Sequence, residues 1–307
     1  MKKLAVILIV VLCIVFVGCS NAEQAASDKT EVVAYAIDTI MTDGTTGNEI
    51  QVEQELSNWY SQKYGRTVQP HKSEITVEFE GKSYTAPYSS TDAVWIGTRT
   101  VHRYETVSSS GGCKITVDAC TGKLIGVTVY RKYVDGKFDQ KIFDACKENA
   151  AAIAEKYIDV TYFKMEHEII DGVGYKFVYT QYVGDQKTNS FLSIRYDFAG
   201  NFEQFVNWVD DGYQNVGKSK KGNAVEAVQR LESNEAQQIA LTKVKTILKD
   251  SETEKIEFSG SDLYVMPDGK LVKKHTITVK LKDDRETNGI SFSQNTLFVH
   301  VALLEQE

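Results

Sequence analysis

The chain has few of the residues that interrupt or crosslink secondary structure. Only three prolines stand against 16 tyrosines and 13 phenylalanines. With many Val, Ile and Thr, that balance favours strands. Of five cysteines, Cys13 and Cys19 lie at the N-terminus, leaving Cys113, Cys120 and Cys146. An odd number excludes a fully paired disulfide framework. Cys113 and Cys120 fall on one expected strand about 23 Å apart, beyond the ~7 Å reach of a disulfide. Cys120 with Cys146 is allowed by distance, but buried unpaired thiols are the simpler expectation. There is no block of basic residues and the net charge is −7, which removes the electrostatic footprint of a nucleic-acid binder. The apolar run 4–17 covers about 21 Å as a helix, short of the ~30 Å hydrocarbon core.

Signatures of chemistry are also missing. No Gly-x-Ser-x-Gly elbow occurs, and His71, His102, His167, His275 and His300 stand in no recognisable catalytic context. Met165-Glu166-His167-Glu168 supplies one histidine where a zinc helix needs two. Ser110-Gly111-Gly112 leads into a strand rather than the helix a phosphate cradle requires. Asp210-Asp211-Gly212 lacks the alternating ligands of a calcium loop, and is expected to be a surface turn. No catalytic residue, metal or cofactor is expected.

What is present begins with Met1-Lys2-Lys3, the apolar run, and then Phe16-Val17-Gly18-Cys19 before the sequence turns polar. This arrangement reads as the h-region of an export signal. The four residues resemble the lipobox of bacterial lipoproteins, with Phe16 in place of the usual Leu. The resemblance implies cleavage before Cys19, lipid on its sulfur, and attachment to the membrane at the extracytoplasmic face. Residues 1–18 are then the signal peptide and 19–31 a small, polar tether.

Beyond the tether, helical patterns alternate with runs of strands. Residues 48–64 carry Ile50, Leu56, Trp59, Tyr60 and Tyr64 on one face, ended by Gly65. Ile142, Ala145, Cys146, Ile153, Ala154, Tyr157 and Ile158 repeat at three- and four-residue spacing. A third helix opens at Ser233, a good N-cap. Strands are expected at 75–80, 83–86, 94–107, 113–119 and 124–130, at 163–170, 175–183, 191–198 and 202–208, and at 263–266, 272–281 and 296–303. The pattern predicts an α+β fold of three consecutive units, each one helix packed on an antiparallel sheet. Their spans are 32–136, 137–216 and 233–307, with 217–232 as a linker.

Val117-Asp118-Ala119-Cys120-Thr121-Gly122-Lys123-Leu124 resembles the Asp-x-x-Thr-Gly-Lys hairpin that closes PepSY domains. Tyr196-Asp197-Phe198-Ala199-Gly200-Asn201 occupies the same place in the second unit, with Asn201 for the lysine. The third unit lacks the element. The resemblance implies PepSY-like, cystatin-like units of the kind associated with peptidase propeptides. It also implies a non-enzymatic, lipid-anchored envelope protein whose partner is a secreted protease or another envelope protein. An exposed sheet edge offers a physical route to such a partner.

Two alternatives remain. One is a ligand-binding lipoprotein, which needs β-α-β alternation that is not evident. The other is an exported enzyme, a hydrolase or a flavin transferase-like protein, whose site is assembled from residues without a linear motif. Residues 34–42, Ala-Tyr-Ala-Ile-Asp-Thr-Ile-Met-Thr, resemble the N-terminal strand of exported FAD:protein FMN transferases. That family's glycine-rich flavin stretch and Asp-Pro-x-Thr-Gly element have no counterpart here. The simpler expectation for 34–42 is a strand pairing into the first sheet.

Overall fold

A computed structural model describes residues 31–37, 40–42, 49–51, 55–94, 98–108, 111–131, 136–170, 172–216, 223–248, 253–281 and 296–306. The signal peptide, Cys19 and all of the tether except Glu31 lie outside them. Four α-helices occur among the described residues: α1 (Glu55–Tyr64), α2 (Gln140–Tyr157), α3 (Ala224–Leu231) and α4 (Asn234–Leu248). The long strands are β1 (Glu31–Ala36), β4 (Glu74–Phe79), β5 (Lys82–Val94), β6 (Arg99–Ser108), β7 (Gly111–Asp118), β8 (Leu124–Tyr130), β9 (Phe163–Ile170), β10 (Gly174–Val183), β11 (Gln186–Asp197), β12 (Phe202–Asn207), β13 (Thr253–Val265), β14 (Leu271–Leu281) and β15 (Thr296–Gln306). Two short strands, β2 (Ile40–Thr42) and β3 (Glu49–Gln51), pair only with each other.

The expectation of three separate helix-on-sheet units is overturned. The thirteen long strands form one continuous mixed sheet, in the order β1-β15-β14-β13-β11-β12-β8-β7-β6-β5-β4, with β10 and then β9 branching from β11. Two junctions make it continuous. β12 pairs with β8 through Gln204–Thr128 and its neighbours. β11 meets β13 in a parallel bridge between Thr188 and Leu263. The edges that would have closed each unit are spent on its neighbours.

Helix placement also departs from the expectation. α1 does not cover the sheet that follows it. Its Leu56 and Tyr60 pack with Ile37, Tyr264, Val272, Ala302 and Leu304 at the far end of the chain. β1 likewise pairs with β15, Glu31 opposite Gln306, so it joins the last sheet rather than the first. The vacated face of β6 and β7 is covered by the β4–β5 hairpin, where Ala86 packs against Tyr104, Cys113 and Ile115. α3 stands in the stretch read as a linker, capped by Asn223, whose side chain accepts the Glu226 N–H at 3.0 Å. The two later helices behave as their apolar spacing dictates. Asp139 caps α2, and Phe143, Cys146, Ala150, Ile153 and Ala154 face the sheet. Ser233 receives the Ala236 N–H at the start of α4.

Register gives the sheet two opposite characters. Tyr104, Ile115, Val127, Phe205, Ile194 and Phe177 form one row across six strands, each at most 2% exposed. On the reverse face run Glu105, Lys114, Thr128, Gln204, Arg195, Lys176 and Glu168. This is antiparallel sheet with one wet face. Where residues 263–266, 271–273 and 301–304 lie together both faces are dry: Leu263 and Leu303 point toward α3 and α4, while Tyr264, Val272 and Leu304 point toward α1.

Candidate functional site

Two of the acidic turns singled out in the sequence, at Asp118 and at Asp210-Asp211, meet at one joint. In the hairpin after β7, the Asp118 carboxylate accepts the backbone N–H groups of Cys120 and Thr121, both at 2.9 Å, which fixes the turn. Asp197 does the same for Ala199 and Asn201 at 2.9 and 2.8 Å. The β13–β14 turn, without the Asp-Thr-Gly-Lys element, keeps the backbone pattern: Met266 and Lys270 pair as Asp197 and Asn201 do. Gly122, Gly200 and Gly269 all adopt positive φ, where a side chain is disfavoured.

Asp118 also holds Arg66 at 3.2 Å, just past α1. Lys63 of α1 holds Asp268 of the β13–β14 turn at 3.0 Å. The loop after β12 completes the joint, with Arg99–Asp210 and Lys123–Asp211 both at 2.8 Å. Asp210 is therefore no surface residue. Its side chain is 1% exposed, and a buried carboxylate must be paired. Gly212 is required at the same point, because a Cβ there would lie 2.2 Å from the Met266 carbonyl oxygen. The Tyr60 hydroxyl, buried nearby without a hydrogen-bond partner, is held protonated by burial and then by Asp210. With each carboxylate matched to a cation, this cluster locks elements together.

A second charged group sits in the dry region. Lys273 is 5% exposed on the face toward α3 and α4. Its ammonium donates to Glu232 at 2.6 Å and to Gln186 at 3.0 Å. Burial raises the Glu232 pKa, but its bonds to Lys273 and Gln186 outweigh this and hold it below the usual carboxylate range. Burial, then Lys273, pushes the pKa of His275 down.

Of the other sequence candidates, His71 and His102 stand edge-on to each other with ring centroids 6.0 Å apart, beside Tyr88. Among the described residues no three His, Cys, Asp or Glu side chains gather as a metal site. His102 is buried, with Nε2 on the Gln69 carbonyl and Nδ1 on Thr91, both at 2.8 Å. His71 stacks on Tyr88, and His300 contacts the Thr276 hydroxyl at 3.1 Å. The three described cysteines are free thiols. Burial raises all three, Cys146 to about 11, so they stay protonated near neutrality.

A concave surface lies on the wet face where β9, β10, β11 and β13 converge. It encloses about 490 Å³ between Glu166 and Glu168 of β9, Lys176 of β10, Lys187 of β11, and Ser261 and Asp262 of β13. Thr180 is one of its lining residues, and its hydroxyl is buried without a partner among the described residues. Tyr182 donates to Glu166 at 2.7 Å and Lys187 reaches the same carboxylate at 3.2 Å. Lys176 lies 3.7 Å from Glu168, and Lys274 lies 3.1 Å from Asp262. One wall is the outermost strand of the branch, whose residues 164–169 are all exposed. Of Met165-Glu166-His167-Glu168, weighed as a metal element, the last three residues are part of this wall.

No family model matches the chain, and no curated protein matches it. Among solved structures, the C-terminal domain of YpeB from Bacillus megaterium is a weak structural neighbour. The TM-score is 0.28 at 8% identity, over 76% of this chain and 94% of that one.

Proposed function

We propose that the chain is a non-enzymatic, lipid-anchored protein of the cell envelope, and that it binds and restrains an exported protease or another envelope protein. The observation that carries this reading is the edge of β9, which among the described residues pairs only with β10 and keeps residues 164–169 exposed beside a polar groove. Unpaired strand edges recruit other chains. The address rests on the lipobox-like Phe16-Val17-Gly18-Cys19, since stable anchoring takes more than one acyl chain. The PepSY-like hairpin at 117–124 supports the choice of a protease as partner.

Two experiments test it. Palmitate should label the wild-type chain and not Cys19→Ala, and the variant should leave the membrane fraction. The full-length chain in detergent should slow at least one of the host's secreted proteases in a representative panel. An unlabelled wild type overturns the anchor, and a panel with no binding overturns the restraint.

A further inference from the structure

We infer that β9 is a docking strand, to which the partner adds an extended segment with apolar residues beside Met165 and Ile169 and neutral polar residues over Glu166 and Glu168. This rests on the reading that the chain binds another protein, and it names the form the partner takes at that site.

Among the described residues three strands end the sheet, β1, β4 and β9, while β13 meets β11 at one residue pair, Thr188 with Leu263. β1 is flanked by α1 and α4. β4 turns its Val77 and Phe79 into the cores. β9 alone of the three keeps six consecutive exposed residues.

Its apolar side is cut short. The buried layer under α2 advances from β11 to β10 through Tyr175, Phe177 and Tyr179, all buried. Their partners on β9 are Ile169, His167 and Met165. Ile169 is 43% exposed and Met165 36%, and Phe138, edge-on to Tyr175, is 46% exposed. The layer therefore ends one strand early.

The class of occupant follows from the backbone. Eight residues of β9 span roughly 26 Å and present outward N–H and C=O groups at alternate positions. A helix or a flat surface would leave those groups to water, whereas an added strand satisfies them and prolongs both faces at once. On the groove side the carboxylates already have partners, Glu166 with Tyr182 and Lys187 and Glu168 with Lys176. The incoming residues on that side need no counter-charge, so hydroxyl and amide side chains fit.

The test uses the full-length chain and a fluorescent synthetic peptide alternating valine and threonine, with a lysine at each end. Two control peptides carry N-methyl groups on one or the other set of alternate residues, so each blocks one hydrogen-bonding edge. The parent peptide should bind saturably and slow amide exchange across 163–170. The control methylated on its docking edge should not bind. Met165→Glu with Ile169→Glu, both at exposed positions, should weaken binding by about tenfold or more at an unchanged melting temperature. Binding by both controls, protection appearing elsewhere, or no saturable binding overturns the inference. So does self-association that the double variant abolishes, because the occupant is then a second copy. A protease that still binds when the peptide does not leaves the restraint reading intact and sinks only the strand.

Discussion

The two ends of the sheet solve the burial problem differently. Around β13–β15, apolar side chains leave both faces, one toward α3 and α4 and the other toward α1. Between β6 and β10 only one face is dry, and it is covered by α2 and by the β4–β5 hairpin. A strand buried twice needs a near-continuous apolar run and a strand buried once needs alternation. The sequence obeys both: Val301-Ala302-Leu303-Leu304 in β15, against Tyr175-Lys176-Phe177-Val178-Tyr179 in β10. The twice-buried end is scaffold. The once-buried end keeps a wet face and an unfinished edge, which is where the groove lies.

The sharpest way to break this comparison is to cut the joint between the ends. Asp210→Ala leaves Arg99 without its buried carboxylate, and we expect a loss of about 3–5 kcal/mol in chemical unfolding. A loss under about 1 kcal/mol would show that the pair does not hold the joint. Next, Leu303→Ala in the twice-buried strand, at 0% exposure, should cost about 2–5 kcal/mol. Thr128→Val on the wet face should stay within about 0.5 kcal/mol. Equal costs would contradict the two-character sheet.

Acid sharpens the comparison further. The folded pKa of His275 lies below its unfolded value, because of burial and then Lys273. The unfolded chain therefore takes the proton first. Stability is intact above the ordinary histidine range near 6.5 and is lost as pH falls from there through the folded value. Melting temperatures from pH 7.5 to 5 should drop less in His275→Gln than in the wild type; parallel curves would remove His275 from the account. The smallest effect is chemical. A maleimide should label partly exposed Cys120 in the native chain before buried Cys113 and Cys146, and mass spectrometry of the digest reads the order.

What could be read in advance depended on range. α2 was legible because Phe143, Cys146, Ala150 and Ile153 repeat at helical spacing. The hairpin at 118–123 was legible because Gly122 is placed where backbone φ turns positive. α1 was legible as a helix, but its destination was not, since the floor under Leu56 and Tyr60 lies more than 200 residues away in β14 and β15. α3 carried a signal that went unused, Val225, Val228 and Leu231 at three-residue spacing. Asp210 misled because charge suggests solvent, while its answer, Arg99, is 111 residues distant. Lys273 amid Leu271 and Val272 hinted at a buried charge, but nothing local named Glu232. The groove had no local signature, because its walls come from β9, β10, β11 and β13.

The pairing of β1 with β15 has a consequence for how the molecule is made. A ribosome delivers Glu31 long before Gln306, its ladder partner. Until β15 is made, β1 has no ladder partner and the apolar side of α1 lacks Ala302 and Leu304. Bridging so many residues costs little extra equilibrium stability but slows closure. Shutting the fold therefore waits on β15, which supplies both the ladder for β1 and part of the floor for α1.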